Sequence, residues 1–345
     1  MPDFDSWTLQ QSLIVFAACT AVIGVFGSWL TAVVDQLADR TGLGEAVTGA
    51  VLLGAATSLS GSVLSVTAAW NGLPELALGN ALGGIAVQTA FLVVADAVYR
   101  KANLEHAAAS AQNLMQNALL IALLAMILLG PSLPDVALAG VHPLTALLLF
   151  VYVYGTGIIH GMREHPMWWP TQTAATRGDE PEDLTRTPAL APLIVAFLLL
   201  TLVLGLAGWT MEKAASRIAS ESWLEATVVG VLFTAIATSL PELVTSVAAV
   251  RRGALTLAVG GIIGGNAFDC LFVAGADIAY RPGSIYHAMT DSVTFWTALT
   301  LLMATVLLLG LLRREERGPG RIGVESVVLV ALYLGGIVLL LAGEV

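Results

Sequence analysis

Charge is scarce in this chain. Asp, Glu, Lys and Arg make up 12% of its 345 residues, against 57% hydrophobic residues. A soluble domain carries about 25% charge, so the balance excludes a globular enzyme built round one core. Basic residues are the scarcer sign. The net charge is −10, which excludes nucleic acid as a partner. Cysteine is nearly absent. Cys19 and Cys270 both fall in apolar segments, so no disulfide framework follows and both read as small hydrophobes. Met1–Trp7 has no basic stretch, and no cleaved signal peptide is expected. No nucleophile–base set and no cluster of metal ligands stands deep in an apolar segment. No enzyme and no bound cofactor are expected.

What the chain does have is apolar runs of about 20 residues, the length that crosses a bilayer. Hydropathy places spans near 10–36, 46–70, 75–99, 105–130, 143–160, 191–214, 224–250, 255–279, 286–312 and 324–343. The expected fold class is an all-α polytopic membrane protein of ten transmembrane helices. Segment 161–190 is polar and proline-rich and includes Gly178-Asp-Glu-Pro-Glu-Asp183. It reads as a linker between residues 1–160 and 191–345.

The two halves repeat. Thr57-Ser-Leu59 recurs as Thr238-Ser-Leu240, an offset of 238 − 57 = 181. At that offset Ser65-Val66 falls on Ser246-Val247, Gly72 on Gly253, Gly79 on Gly260, Gly83-Gly84 on Gly264-Gly265 and Phe91 on Phe272. Ala95-Asp96 meets Ala276-Asp277, Tyr99-Arg100 meets Tyr280-Arg281, and His106 meets His287. Gly24 and Gly27 land on Gly205 and Gly208. Matched Asp, Arg, His and Gly without a gap indicate a duplication. Each half has an odd number of spans, so the second enters the membrane inverted, a transporter signature. Arg40, Arg100, Lys101, the linker arginines, Arg251, Arg252, Arg313, Arg314, Arg317 and Arg321 share one side. Only Lys213, Arg217 and Arg281 take the other. The positive-inside rule then expects a cell-membrane protein with the linker cytoplasmic and both termini outside.

Two acids stand near mid-span. Glu242 follows Pro241, and Asp269 closes Gly260-Gly-Ile-Ile-Gly-Gly-Asn-Ala-Phe-Asp269. A carboxylate at bilayer depth costs roughly 2.5–3.5 kcal/mol and marks a functional site by default. No basic residue shares that depth. Pro241 offers no N–H to the carbonyl of Ala237 and crowds it, so the helix should open there. A freed carbonyl at Ala237, hydroxyls at Thr238 and Ser239 and the Glu242 carboxylate make an all-oxygen corner suited to a hard cation. In the first half Ser60-Gly61 replaces Pro241-Glu242, and Gln88 stands at the position of Asp269. Thr57, Ser58, Ser60, Gln88 and Asn80 keep oxygens there without charge. Those hydroxyls serve equally as cation ligands or as contacts between helices.

Other polar residues have plainer readings. Glu75 after Pro74 suits a helix start. Asp96 with Arg100, and Asp277 with Arg281, have the spacing of helix-end ion pairs. His106 and His287 are expected at the membrane interface, and Asp291 about a turn inside its helix. Gln112, Asn113, Gln116 and Asn117 share a face that either lines a water path or knits helices together.

With these residues in view, the chain resembles the sodium/calcium exchanger branch of the cation/calcium antiporter superfamily. The resemblance rests on Ala237-Thr-Ser-Leu-Pro-Glu-Leu-Val-Thr-Ser246 and Gly264-Gly-Asn-Ala-Phe-Asp269. Ala56-Thr-Ser-Leu59 and Gly79-Asn-Ala-Leu-Gly-Gly84 look like a worn first repeat. The resemblance implies two inverted five-helix repeats whose second, third, seventh and eighth helices hold the ions, with the first and sixth as a sliding gate. It implies Glu242 and Asp269 as anionic cation ligands, with Thr57, Ser58, Thr238 and Ser239 giving hydroxyl or backbone oxygens. Gln88 stands where the family has Asn or Asp, and Asn266 braces the broken helix. One signature glutamate is missing at Gly61, and the family's serine is Gly84 and Gly265. Glu242 and Asp269 give a site of about −2, enough for one Ca²⁺, two Na⁺, or one Na⁺ with one H⁺. The expected function is antiport of Ca²⁺ against Na⁺ by alternating access, with small inorganic cations and the lipid bilayer as partners. A proton-coupled exchanger, a passive channel and a cation-binding protein that does not transport are the alternatives.

Overall fold

The structure is a computed structural model that describes residues 7–41, 57–164, 168–174, 176, 189–222, 224–318 and 322–343. Among these residues there is no β-strand, only an isolated bridge between Leu138 and Val141. The helices are α1 (Leu9–Thr41), α2 (Leu59–Trp70), α3 (Pro74–Tyr99), α4 (Leu104–Ala107), α5 (Ala111–Leu129) and α6 (Pro143–Glu164). The second half supplies α7 (Leu190–Glu221), α8 (Ala226–Thr238), α9 (Leu240–Arg252), α10 (Leu255–Ala279), α11 (Asp291–Arg313) and α12 (Val324–Ala342). Eight of these are long and apolar enough to cross a bilayer, and the count is nine with the bent pair α8–α9 taken as one span. α2 carries the end of the second predicted span, whose residues 46–56, with Ala56 of the first motif, lie outside the described residues. Most of the 161–190 linker lies outside them too.

The architecture is an all-α polytopic bundle of two inverted repeats. Arg217 near the end of α7 donates to the carbonyl of Trp7 before α1, at 2.9 Å, so these two long helices run antiparallel. α3 and α10 are the most deeply buried spans, while α7 turns Val195, Leu198, Leu199 and Leu202 outward to lipid. Glycine decides how closely the halves approach. A Cβ on Gly83 would lie 2.7 Å from the Val231 backbone, and one on Gly79 3.2–3.3 Å from the backbone of Thr227, Gly230 and Val231. α3 therefore presses directly on α8, where Val229–Thr234 forms a π-turn.

The fourth and ninth spans begin later than hydropathy suggests. Ser110 caps α5 by accepting from Asn113 N at 3.0 Å, and Thr290 caps α11 by accepting from Val293 N at 3.4 Å. Short turns, α4 and Ile285–Ala288, precede them. Asp291 is consequently the exposed first residue of its helix rather than a turn inside it. Glu75 lies in the first turn of α3 behind Pro74, as expected.

Asp96 and Asp277 are not helix-end ion pairs. Both are fully buried. Asp96 accepts from Leu104 N at 2.8 Å, Gly323 N at 2.9 Å and Ser326 Oγ at 2.9 Å. Asp277 accepts from Ile285 N at 3.1 Å, His142 N at 2.9 Å and Thr145 Oγ1 at 2.7 Å. Each donor in one set lies 181 residues from its counterpart in the other. Backbone N–H groups at helix starts, with the positive ends of the helix dipoles behind them, displace the neighbouring arginines as partners. Arg281 instead lies 5.4 Å over the Trp70 ring. His106, between two spans, is buried, with Arg314 O at 2.6 Å and Thr173 Oγ1 at 2.8 Å. The polar face of α5 knits helices: Asn113 donates to Ala108 O and Thr256 O, and Asn117 donates to Ala304 O.

Candidate cation site

The site forms where α8 bends into α9 and where α2 begins. α8 and α9 meet at Ser239 with a bend of 42°. Pro241 removes the donor due to Ala237 O, and Ser239 takes φ −95°, ψ 5°, in the sparsely allowed bridge region. Ser58 before α2 adopts φ −79°, ψ 1°, although the matching position is Ser60 and not proline. The two halves thus share this backbone conformation, although only the second has proline two residues on.

Outer helices buttress each break reciprocally. Gly27 of α1 packs against the Pro241 ring, and Gly208 of α7 packs against the Ser60 backbone carbonyl. Gly27 and Gly208 are repeat mates, as are Ser60 and Pro241. A side chain at either glycine has no room.

Glu242 and Asp269 are buried at 4% and 2% exposure. Ser58 Oγ stands 3.4 Å from Glu242 Oε1, and Thr57 also hydrogen-bonds that carboxylate. Gln88 Nε2 donates to Asp269 Oδ2 at 2.7 Å and to Ser239 Oγ at 3.1 Å. Glu242, Asp269, Gln88, Ser58, Ser239 and Thr57 therefore converge. Thr238 is adjacent but turned away: its hydroxyl donates to Thr234 O at 2.8 Å and lies 3.4 Å from Asn80 Oδ1. Ala237 is buried with its carbonyl released from the helix ladder.

Glu242 Oε2, Asp269 Oδ1, Gln88 Oε1 and Ser60 Oγ are buried with no hydrogen-bond partner. Most buried polar atoms have one. No ion pair among the described residues reaches either carboxylate. They are oxygen acceptors of the kind that hard cations bind.

The vacancy left by the first-half glutamate is closed by an aromatic ring. A Cβ on Gly61, the mate of Glu242, would lie 3.0 Å from Phe272 Cε2. Asn80 Nδ2 seals the same spot by donating to Gly61 O at 3.1 Å and Ser65 Oγ at 2.9 Å. Asn266 braces α10 against α3 by donating to Thr89 Oγ1 at 3.0 Å. Where the family places serine, a Cβ on Gly84 would sit 3.8 Å from Asp269 Oδ2, and one on Gly265 3.6 Å from Gln88 Oε1. Both positions face the Gln88–Asp269 pair with space for a small side chain. Phe272 and the glycine sockets escaped the sequence-based site list, although Phe91/Phe272 and Gly27/Gly208 were among the matched repeat pairs.

Fold and site together define a multi-pass membrane transporter with a buried oxygen site between inverted repeats. The sequence profile of the sodium/calcium exchanger protein family matches residues 11–158 and 192–342. CaxA of Alkalimonas amylolytica, by name a candidate antiporter, is 27% identical over 303 residues, covering 87% of this chain and 89% of that one. The solved sodium-calcium exchanger NCX_Mj superposes with TM-score 0.61 at 18% identity, over 96% of this chain and 99% of that chain. The solved H⁺/Ca²⁺ exchanger CAX gives TM-score 0.68 at 15% identity, over 98% and 83%. These structural likenesses show the fold. The chain belongs to the sodium/calcium exchanger family, a family of transporters, and is a cation antiporter that moves small inorganic cations across a membrane.

Proposed function

We propose that the chain exchanges Ca²⁺ for Na⁺ by alternating access, with Glu242 and Asp269 as the shared ion ligands. The observation that carries this reading is the pair of buried carboxylates with partnerless oxygens, oriented by Ser58, Ser239 and Gln88. Gly61 contributes no charge and Phe272 fills its vacancy, so the site charge is −2. One Ca²⁺ or two Na⁺ neutralises it, and three Na⁺ overload it. The stoichiometry proposed is therefore two Na⁺ per Ca²⁺, an electroneutral exchange.

Proton coupling is the second reading, and the same charge count favours it. A proton neutralises a desolvated carboxylate as well as Na⁺ does. The ions named for similar proteins, Ca²⁺ with Na⁺ or with H⁺, match the two candidates. The membrane orientation proposed is the one the basic residues give, with the linker cytoplasmic.

The test is ⁴⁵Ca²⁺ uptake into proteoliposomes driven in turn by an outward Na⁺ and an outward H⁺ gradient. Sodium-driven uptake supports the first reading. Uptake driven by H⁺ alone replaces it with the second, and folded protein silent under both gradients overturns Ca²⁺ antiport.

A further inference from the structure

The Asp96 and Asp277 ties repeat position by position, but their surroundings do not. Around Asp277 the frame is completed by neutral side chains: Tyr286, whose hydroxyl pairs with Thr145 at 3.0 Å, and buried Leu144. At the offset of 181, Tyr286 matches Glu105 and Leu144 matches Glu325. The tie at Asp96 has thus gained two acids that its twin does without.

Those acids meet. Glu105 is 3% exposed and Glu325 8% exposed. A Cβ on Gly323 would lie 3.1 Å from Glu325 Oε2 and 3.2 Å from Glu105 Oε2, so both oxygens converge on one face of that glycine. Glu105 Oε2 has no hydrogen-bond partner.

The surrounding charges are held mostly in other contacts, although the buried Arg314 Nε has no hydrogen-bond partner. Asp96 already accepts from Leu104 N, Gly323 N and Ser326 Oγ. Arg313 approaches only the far oxygen of Glu325, Oε1, at 3.8 Å, and pairs with Glu315 at 3.3 Å. Arg314 donates to Thr171 O, Thr176 Oγ1 and His106 O. Both ring nitrogens of His106 are engaged. α10 contributes Leu255 and Ala258 to the apolar cluster that holds Leu104 and Ala107 of α4.

A buried carboxyl with no cation of its own and with other carboxylates beside it does not stay ionised. We propose that Glu105 is a proton-binding site, separate from the Glu242–Asp269 site, whose proton holds α4 against the start of α12 beside Glu325. A proton fits better than a divalent metal because only two carboxyls have oxygens to spare. Burial first, then the negative charges of Asp96 and Glu325, push the Glu105 carboxyl up to about 8. The clasp is closed at neutral pH and opens in alkali. Between the unfolded value of 4.5 and about 8 the folded chain holds a proton that the unfolded chain has released. Stability therefore falls as pH rises through that window and levels off above it.

The test uses the full-length protein carrying Glu242→Gln and Asp269→Asn, so that the transport carboxyls do not titrate. Infrared spectroscopy should show a protonated-carboxyl carbonyl band at neutral pH that is lost with a midpoint near 8, and adding Glu105→Gln should abolish it. The melting temperature should fall from neutral to alkaline pH in the parent, and by clearly less in Glu105→Gln. Glu325→Leu adopts the side chain the other half uses at this place and keeps the test open if Glu105→Gln misfolds. Without the Glu325 charge, the Glu105 midpoint should move down. A band that survives Glu105→Gln, or a midpoint unmoved by Glu325→Leu, overturns the proposal.

Discussion

Gln88 Nε2 donates to Asp269 Oδ2 across 2.7 Å, and the two residues hold the same position in the two repeats, 181 apart. They meet at the pseudo-twofold axis. The duplication has placed one ionisable and one neutral copy of a single site position face to face. The neutral copy serves as donor to the charged one.

Gln88→Ala removes that donor. A hydrogen bond to a charged group contributes about 1.5–3 kcal/mol, roughly a ten- to hundredfold change in an equilibrium constant. Asp269 then loses its fixed orientation, and the half-saturating Ca²⁺ concentration for ⁴⁵Ca²⁺ uptake should rise by about that factor.

Restoring the lost carboxylate requires a second change. Gly61→Glu alone drives a side chain into the Phe272 ring and should destabilise the protein by about 1–3 kcal/mol, as overpacking does. Paired with Phe272→Ala, the new carboxylate gains space and the site charge becomes −3. Exchange in the double variant should become sensitive to membrane potential, and a valinomycin-imposed K⁺ potential measures this.

The glycine sockets give a symmetric pair of predictions. Gly27→Ala and Gly208→Ala place methyl groups against the Pro241 ring and the Ser60 carbonyl respectively. Each should cost about 1–3 kcal/mol and slow turnover, since both outer helices then stand off the breaks they support. Thermal unfolding in detergent and the maximal uptake rate test the two together.

Asp96→Ala and Asp277→Ala should be equally damaging. Each strands three donors, at about 1–3 kcal/mol per stranded group. Melting temperatures should fall alike for the two, while the Ca²⁺ half-saturation of the protein that still folds should stay at the wild-type value. A shift in that constant would place these residues in transport rather than in holding helix ends.

Much of this architecture was legible in the chain. The all-helical, many-span fold followed from hydropathy, and the repeat from matched Asp, Gly and His at a fixed offset. Glu242 and Asp269 stood out because carboxylates deep in apolar segments have few structural uses. Tertiary partners were not legible. Sequence spacing pairs Asp96 with Arg100, but a buried aspartate is claimed by helix starts that only the fold brings near. Thr238 belongs to the motif, yet its hydroxyl turns back to Thr234 O, a rotamer choice the motif does not encode. The α5 asparagines left two readings open until their carbonyl partners on α10 and α11 were in place. Phe272 looked like ordinary core, because its role depends on an absence at Gly61 in the other half.

The most direct test of the central claim is Ca²⁺ self-exchange, which needs no assumption about the counter-ion. Proteoliposomes loaded with unlabelled Ca²⁺ are placed in ⁴⁵Ca²⁺ without Na⁺ or a pH gradient, and label entry is followed for wild type, Glu242→Gln and Asp269→Asn. The account predicts exchange by the wild type and its loss in both folded variants. Self-exchange at the wild-type rate in either variant would contradict it, and would move the cation site away from these two carboxylates.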